Sequence, residues 1–131
     1  MIVVDASVVA HLVFTGSSTD AVERLHERDP EWAAPLLCRS ELRSVAVKQV
    51  RAGRVSGDAA RAALRAAESV LEGREFLVAT DRVLELALTS GCSAYDCEYV
   101  ALALELEVPL VTLDRRVLDA FPSVARTPAD Q

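Results

Sequence analysis

Short runs of apolar residues alternate along the chain with longer stretches of helical periodicity. The first run, Met1 to Val4, is continuously apolar and rich in β-branched side chains, and it ends at Asp5. Such a run is typical of a strand buried on both faces of a parallel sheet. Similar runs lie near residues 31–34, 75–79 and 109–113. The alternation therefore predicts an α/β fold around a parallel sheet.

The stretches between these runs carry residues that begin and end helices. Ser, Thr and Asp side chains stand at the expected starts, and Gly53, Gly73 and Gly91 stand at the expected ends. A small edge strand is expected in the tail after Pro122. The predicted helices are a segment opened by Ser17 and Asp20, residues 36–52, 56–71, 80–91 and 93–107, and a short helix after Asp114 that ends at Ala120. The second and third of these are suited to form a helical hairpin.

Length and hydropathy limit the class of protein. A chain of 131 residues matches one domain. No apolar run reaches the eighteen or more residues that a membrane span needs. The amino terminus has no basic region and no long apolar core, so we expect no secretory signal and a cytoplasmic location.

Charge and cysteine content narrow the chemistry. The net charge of −6 is opposite to that of a protein that holds nucleic acid by a broad basic surface, so any contact with RNA must be local. The cysteines Cys38, Cys92 and Cys97 form an odd set without close Cys or His companions. We therefore expect buried, unreactive thiols rather than disulfides or a zinc site.

Acidic residues fall where an α/β sheet places its working crevice, outside the carboxyl ends of the strands. Asp5 ends the first predicted strand, and Asp114 ends the strand near residues 109–113. Asp96 lies in the first turn of a helix that follows another helix through Gly91 and Cys92, so its side chain can face the same crevice. If the two strands are parallel neighbours, these carboxylates meet at one edge of the sheet.

Glu41 is predicted to lie within a helix, on the same ridge as Leu37 and Val45. A carboxylate on an apolar stripe is costly unless a cation compensates its charge. Glu41, together with Asp5, Asp96 and Asp114, therefore predicts an acidic pocket for Mg²⁺, with Mn²⁺ as the alternative ion.

Each acid also has an ordinary structural explanation. Asp5 is suited to a turn after a strand. Asp96 is suited to a capping box with Ser93, and Asp114 to capping the last helix. Glu41 would be solvated if its helix were rotated. The joint pattern carries the metal prediction, and it does not choose the substrate.

The sequence resembles the PIN-domain family, and within it the VapC toxin branch of toxin–antitoxin pairs. The matching segments are IVVDASVVAHLVF around Asp5, APLLCRSELRSVAVK around Glu41, CSAYDCEYVALALELEVPLVTLD from Cys92 to Asp114, and RRVLDAF after it. The resemblance implies a single domain over residues 1–131 with a PIN-like three-layer fold, in which a parallel sheet of four or five strands is flanked by helices. It also implies a Mg²⁺-dependent endoribonuclease.

Carried over by residue, the resemblance makes Asp5 and Asp96 direct metal ligands, with Glu41 and Asp114 binding directly or through water. Ser7 and Thr112 match small hydroxyl residues that orient a carboxylate or a water molecule. Arg115 and Arg116 are candidates for contacts with RNA phosphate, although a solvated helix start is the preferred explanation for both. Asp119 either adds an acid near the cleft or lies on the last helix. The resemblance further implies a homodimer and a VapB-like antitoxin partner whose carboxyl-terminal segment covers the acidic cleft.

Other functions stay open at this point. A PIN nuclease with an RNA-processing role, or one that cuts DNA, would have the same pattern. A phosphoacceptor signalling domain would need a lysine near the acidic pocket, and the only lysine, Lys48, is predicted two helical turns from Glu41. A phosphatase of the haloacid-dehalogenase type would need Asp where Ser7 stands. A PIN domain that only binds is disfavoured because all four acids are present.

Overall fold

A five-stranded parallel sheet forms the centre of the molecule. The computed structural model describes all residues from Met1 to Gln131. The strands are β1 (Ile2–Val4), β2 (Trp32–Pro35), β3 (Glu75–Phe76), β4 (Leu110–Val111) and β5 (Ala125–Arg126). Their order across the sheet is β3-β2-β1-β4-β5, and every neighbouring pair is parallel. The α/β class and the parallel sheet are thus confirmed.

Strand β1 occupies the middle of the sheet because its side chains are apolar on both faces. Its three residues are at most 1% exposed. Val3 pairs with Ala33 of β2 on one side and with Leu110 of β4 on the other. The carboxyl ends of β1 and β4 therefore lie side by side, which is the arrangement the acid pattern requires.

Seven helices surround the sheet. They are α1 (Ala6–Val13), α2 (Thr19–Arg28), α3 (Leu37–Arg51), α4 (Gly57–Leu71), α5 (Thr80–Ser90), α6 (Ala94–Leu106) and α7 (Arg115–Ala120). Six of them match the predicted helices to within a few residues. None of the seven has the length and apolar character that crossing a bilayer requires.

Helix α1 was not predicted. Its sequence continues the apolar, β-branched run of β1, so no polar face marks a change of period. Four of its residues are buried. The one local signal is Asp5, whose side chain caps the helix by accepting a hydrogen bond from the Val8 amide. Because Asp5 both follows β1 and caps α1, the helix begins directly at the end of the central strand.

The predicted helical hairpin of α3 and α4 forms, and Arg39 ties it to the sheet. The Arg39 guanidinium donates two hydrogen bonds of 2.6 Å to Glu75 of β3. A second carboxylate, that of Glu68 on α4, lies 3.9 Å from the Arg39 guanidinium. This bidentate pair holds the amino-terminal half of α3 against the edge of the sheet.

A tight connection between α5 and α6 sets the start of α6. Gly91 ends α5 with a φ of +74°, a left-handed conformation that glycine adopts without strain. Ser93 then caps α6 by accepting a hydrogen bond from the Asp96 amide at 3.0 Å. Asp96 consequently lies in the first turn of α6, as the sequence predicted.

Candidate active site

One cavity at the carboxyl edge of β1 and β4 collects the predicted acids. Its volume is about 270 Å³, and eleven residues line it. Ala6, Tyr99, Leu110, Leu113 and Val117 complete the lining. The six predicted side chains that the structure brings together there are Asp5, Ser7, Glu41, Asp96, Thr112 and Asp114.

Asp5 is held by three side-chain and backbone donors. Its Oδ1 accepts hydrogen bonds from Ser7 Oγ at 2.5 Å and from the Val8 amide at 3.0 Å. Its Oδ2 accepts a hydrogen bond from Thr112 Oγ1. Burial raises the pKa of the Asp5 carboxyl, and the hydrogen bonds from Ser7 and Thr112 oppose that rise. Asp5 is therefore a helix cap and a fixed carboxylate of the cavity at once.

Thr112 connects Asp5 to Asp114. Its hydroxyl donates to Asp5 and accepts a hydrogen bond of 3.0 Å from the Asp114 amide. Thr112 is the one fully buried polar residue outside the apolar core. Asp114 in turn caps α7, where its Oδ1 accepts hydrogen bonds from the Arg116 and Val117 amides. Thr112 thereby fixes the relative positions of the two strand-end acids.

Glu41 lies at the border between the core and the cavity. The fully buried ridge of α3 is Cys38, Leu42 and Ala46, so the predicted ridge of Glu41 is displaced by one residue from the core stripe. The Glu41 side chain is half-buried, and Tyr99 donates a hydrogen bond of 3.4 Å to its Oε1. Burial, followed by the negative charge of Asp5, raises the pKa of Glu41 to about 7.

Asp96 presents a free carboxylate to the cavity. Its backbone amide bonds to Ser93, which forms the backbone half of the suggested capping box. No hydrogen bond to the Asp96 carboxylate is present. Tyr99 lies three residues further along the same helix face, and sequence reasoning missed it. The i, i+3 spacing from Asp96 was the available signal, because Tyr99 would point into any cleft that Asp96 faces.

The four carboxylates have no cationic partner in the protein. No Arg, Lys or His side chain lines the cavity. The ion pairs of the chain all involve other carboxylates. Unpaired carboxylates that share a partly buried cavity repel one another and attract a cation.

The donor set fits a hard divalent cation held partly through water. No three His, Cys, Asp or Glu side chains lie close enough to form a ready-made ligand cluster, so the acids stand around the cavity rather than at one point. Mg²⁺ suits such an arrangement because it keeps several of its waters and needs only one or two direct carboxylates. The three cysteines are buried and unpaired, as predicted, and they do not line the cavity.

Four other residues that the sequence offered as possible site residues do not line the cavity. Arg115 is exposed on α7 and pairs with Asp119 at 3.8 Å. Arg116 is also exposed, and its guanidinium reaches the Gly91 carbonyl oxygen at 3.5 Å. Lys48 is an exposed residue of α3. The two arginines stay candidates for RNA contacts only, and Asp119 lies on the last helix rather than among the acids of the cavity.

Known proteins resemble this chain over nearly its whole length. Ribonuclease VapC3 of Pyrobaculum aerophilum is 29% identical over 126 residues, which cover 94% of this chain and 96% of that protein. The crystal structure of PAE2754 from Pyrobaculum aerophilum superposes with a TM-score of 0.73 at 27% identity, over 95% of this chain and 81% of the other.

A toxin–antitoxin complex from Klebsiella pneumoniae contains a chain of the same fold. It gives a TM-score of 0.69 at 18% identity and covers 100% of both chains. Residues 2–125 match the family model for the PIN domain. This match covers nearly the whole chain, and it agrees with the parallel sheet and with the acids at its carboxyl edge. The chain therefore belongs to the PIN-domain family.

Proposed function

We propose that this chain is a Mg²⁺-dependent endoribonuclease and the toxin of a VapBC-type toxin–antitoxin pair, acting as one domain over residues 1–131 in the cytoplasm. The observation that carries the proposal is the cavity lined by four carboxylates with no basic side chain. The relative named Ribonuclease VapC3 supports RNA as the substrate.

The residues that would hold the ion are the four carboxylates that line the cavity. Asp96 and Asp5 would bind it directly, and Glu41 and Asp114 directly or through water. A bound Mg²⁺, or Mn²⁺, would supply positive charge for the phosphoryl group and a more acidic water molecule. Ser7 and Thr112 keep Asp5 in one orientation, so the protein mainly contributes placement.

Glu41 is the residue we propose as the proton acceptor. Burial and the charge of Asp5 raise its pKa to about 7 in the metal-free protein, and a cation bound beside it would lower that pKa, so the carboxylate would be ionised and able to accept a proton at neutral pH. Asp114 is less suited to this role because its Oδ1 already accepts hydrogen bonds from two amides of α7. Tyr99 stays protonated, since burial raises its pKa, and its hydroxyl orients the Glu41 carboxylate.

Two protein partners belong to the proposal. An antitoxin that places a basic side chain in the acidic cavity would supply the missing cation and block the site, and the Klebsiella neighbour comes from a toxin–antitoxin complex. A second copy of this chain would cover apolar surface on α5, where Leu84 and Leu88 are 55% and 77% exposed one turn apart. Tyr95, 67% exposed at the start of α6, adds to the apolar surface that a dimer would cover.

Cleavage of a mixed RNA substrate by the purified protein tests the function. We expect cleavage in Mg²⁺ that stops on addition of a chelator and in the Asp96→Asn variant. Asp119→Asn removes the same charge outside the cavity and should cleave normally. Cleavage that survives Asp96→Asn would reject the site, and cleavage of single-stranded DNA instead of RNA would favour the DNA-directed alternative.

A role as a phosphoacceptor domain makes a different prediction. It requires a lysine at the acidic pocket, whereas Lys48 is exposed and outside the cavity. Incubation with a small phosphodonor in Mg²⁺, followed by mass measurement, would detect the phosphoaspartate that such a domain forms. We expect no added mass.

A further inference from the structure

A second cavity continues the acidic one between α1 and α3. Its volume is about 460 Å³, and Ser7 lines both cavities. On α3, Glu41 lines the first cavity, and Val45 and Gln49 line the second at successive helical turns. Gln49 therefore lies about 12 Å from Glu41 along the helix axis. We call this second cavity the α1–α3 groove.

The wall formed by α1 is fixed by local contacts. His11 Nδ1 donates a hydrogen bond of 2.8 Å to the Ser7 carbonyl oxygen, which holds the imidazole against the helix. Gly16 packs on the same ring, and a Cβ at this position would lie 2.8 Å from His11 Cδ2. Phe14 is 7% exposed and forms part of the apolar lining. These contacts hold the α1 wall of the groove in place.

Arg54 closes the far end of the groove because of how α3 ends. Gly53 adopts a φ of +71°, and its amide donates to the Val50 carbonyl oxygen at 3.0 Å. The Arg54 amide donates to the Gln49 carbonyl oxygen, also at 3.0 Å. These two bonds form a Schellman motif, which turns the chain back over the last turn of the helix. The Arg54 side chain consequently lines the α1–α3 groove.

The charge of Arg54 is uncompensated. The Arg54 guanidinium takes part in no ion pair and donates no hydrogen bond, in contrast to Arg39, which binds Glu75. No Asp or Glu lines the α1–α3 groove. A free guanidinium beside His11 and Gln49 is well suited to bind a phosphodiester, since it is a fixed fork of hydrogen-bond donors.

We propose that the α1–α3 groove binds the RNA strand on one side of the cleaved bond, with Arg54 contacting a backbone phosphate. This inference rests on the proposed ribonuclease function. RNA fits better than the helix of a protein partner, because only Ala10, Phe14 and Val45 among the nine lining residues are hydrophobic. An amphipathic helix would need a continuous apolar stripe.

Binding of a labelled single-stranded oligoribonucleotide tests the contact. The measurement uses fluorescence anisotropy in Mg²⁺ with Asp96→Asn as the parent protein, so that the RNA stays intact. Arg54→Gln should weaken binding roughly three- to tenfold and reduce the slope of log K against log salt by about 0.7, the value for one phosphate contact on a single strand. Arg65→Gln, at an exposed arginine of α4 outside the groove, should change neither quantity.

The kinetic readout uses the otherwise unchanged protein. Arg54→Gln should raise KM for RNA and leave kcat within about twofold. If Arg54→Gln and Arg65→Gln behave alike, while the Asp96→Asn parent binds RNA and the wild type cleaves it, the groove contact is refuted and the ribonuclease function stands. If the wild type does not cleave RNA and the Asp96→Asn parent does not bind it, the proposed function fails as well. If Arg54→Gln retains RNA affinity but loses affinity for the antitoxin, the groove is a protein-binding surface and the inference is wrong.

Discussion

Replacement of Glu41 by glutamine should stabilise the metal-free protein above neutral pH. The carboxyl has a pKa of about 7 in the folded protein and an ordinary value of 4.5, because burial and the charge of Asp5 penalise its ionised form. Glutamine is similar in shape and can still accept the hydrogen bond from Tyr99. It removes the charge that the cavity cannot compensate without a cation.

The sign and size follow from the two pKa values. An acid whose pKa is raised on folding binds more protons in the folded state, so stability is complete below pH 4.5 and is lost as the pH rises through 7. The rise in pKa corresponds to about 3 kcal/mol at most, at about 1.4 kcal/mol for each tenfold change. Because Glu41 is only half-buried, solvent screening reduces this to on the order of 1 to 2 kcal/mol.

Thermal or urea unfolding in the presence of a chelator measures the effect. At pH 8, Glu41→Gln should melt roughly 4 to 8 °C above the wild type, and at pH 4 the two should coincide. Adding Mg²⁺ should stabilise the wild type more than Glu41→Gln, because the cation compensates the same carboxylate. Glu105→Gln, at an exposed glutamate of α6, is the matched control and should have little effect. Equal stability of wild type and Glu41→Gln at pH 8 would refute the claim that the surroundings of Glu41 destabilise its ionised carboxylate.

Three further predictions concern other parts of the molecule. In urea unfolding and RNA cleavage assays, Thr112→Val should lower the free energy of unfolding by about 1 to 3 kcal/mol and reduce cleavage at least tenfold, because a buried oxygen of Asp5 loses its donor. Thr112→Ser keeps the hydroxyl, so it should retain much of the stability and much of the cleavage activity. Gly53→Ala should cost about 1 kcal/mol in urea unfolding because alanine is strained at positive φ, whereas Gly57→Ala, in an ordinary helical conformation, should not. Leu88→Glu should shift a dimer to monomer in light scattering, and a wild type that is already monomeric would contradict the proposed dimer.

The part of the site that the sequence predicted depends on a single rule of topology. Asp5 and Asp114 follow apolar runs, and parallel strands bring their carboxyl ends to one edge. The prediction succeeded because β1 and β4 are direct neighbours in the sheet. Ser7 and Thr112 came from the resemblance, since nothing in their local pattern marks them as donors to Asp5.

The features that were missed depend on packing rather than on local pattern. Helix α1 has no polar face, so periodicity could not separate it from the strand before it. The displacement of Glu41 from the core ridge depends on how α3 rotates against β2 and α4, which its sequence does not specify. The α1–α3 groove could not be predicted from local pattern either. Its walls come from residues 7–16 and 45–54, which come together only in the folded chain.

The hydrogen bond between Thr112 and Asp5 joins residues that are 107 positions apart. Three of the eleven residues that line the acidic cavity are therefore synthesised within the first residues of the chain, and five are made only with β4 or after it. A chain whose translation stops before β4 has Asp5 and Glu41 but neither Thr112 nor Asp114, so its cavity is incomplete. For an enzyme proposed to cut RNA, this order of synthesis predicts that a partly made chain is inactive toward the RNA around it.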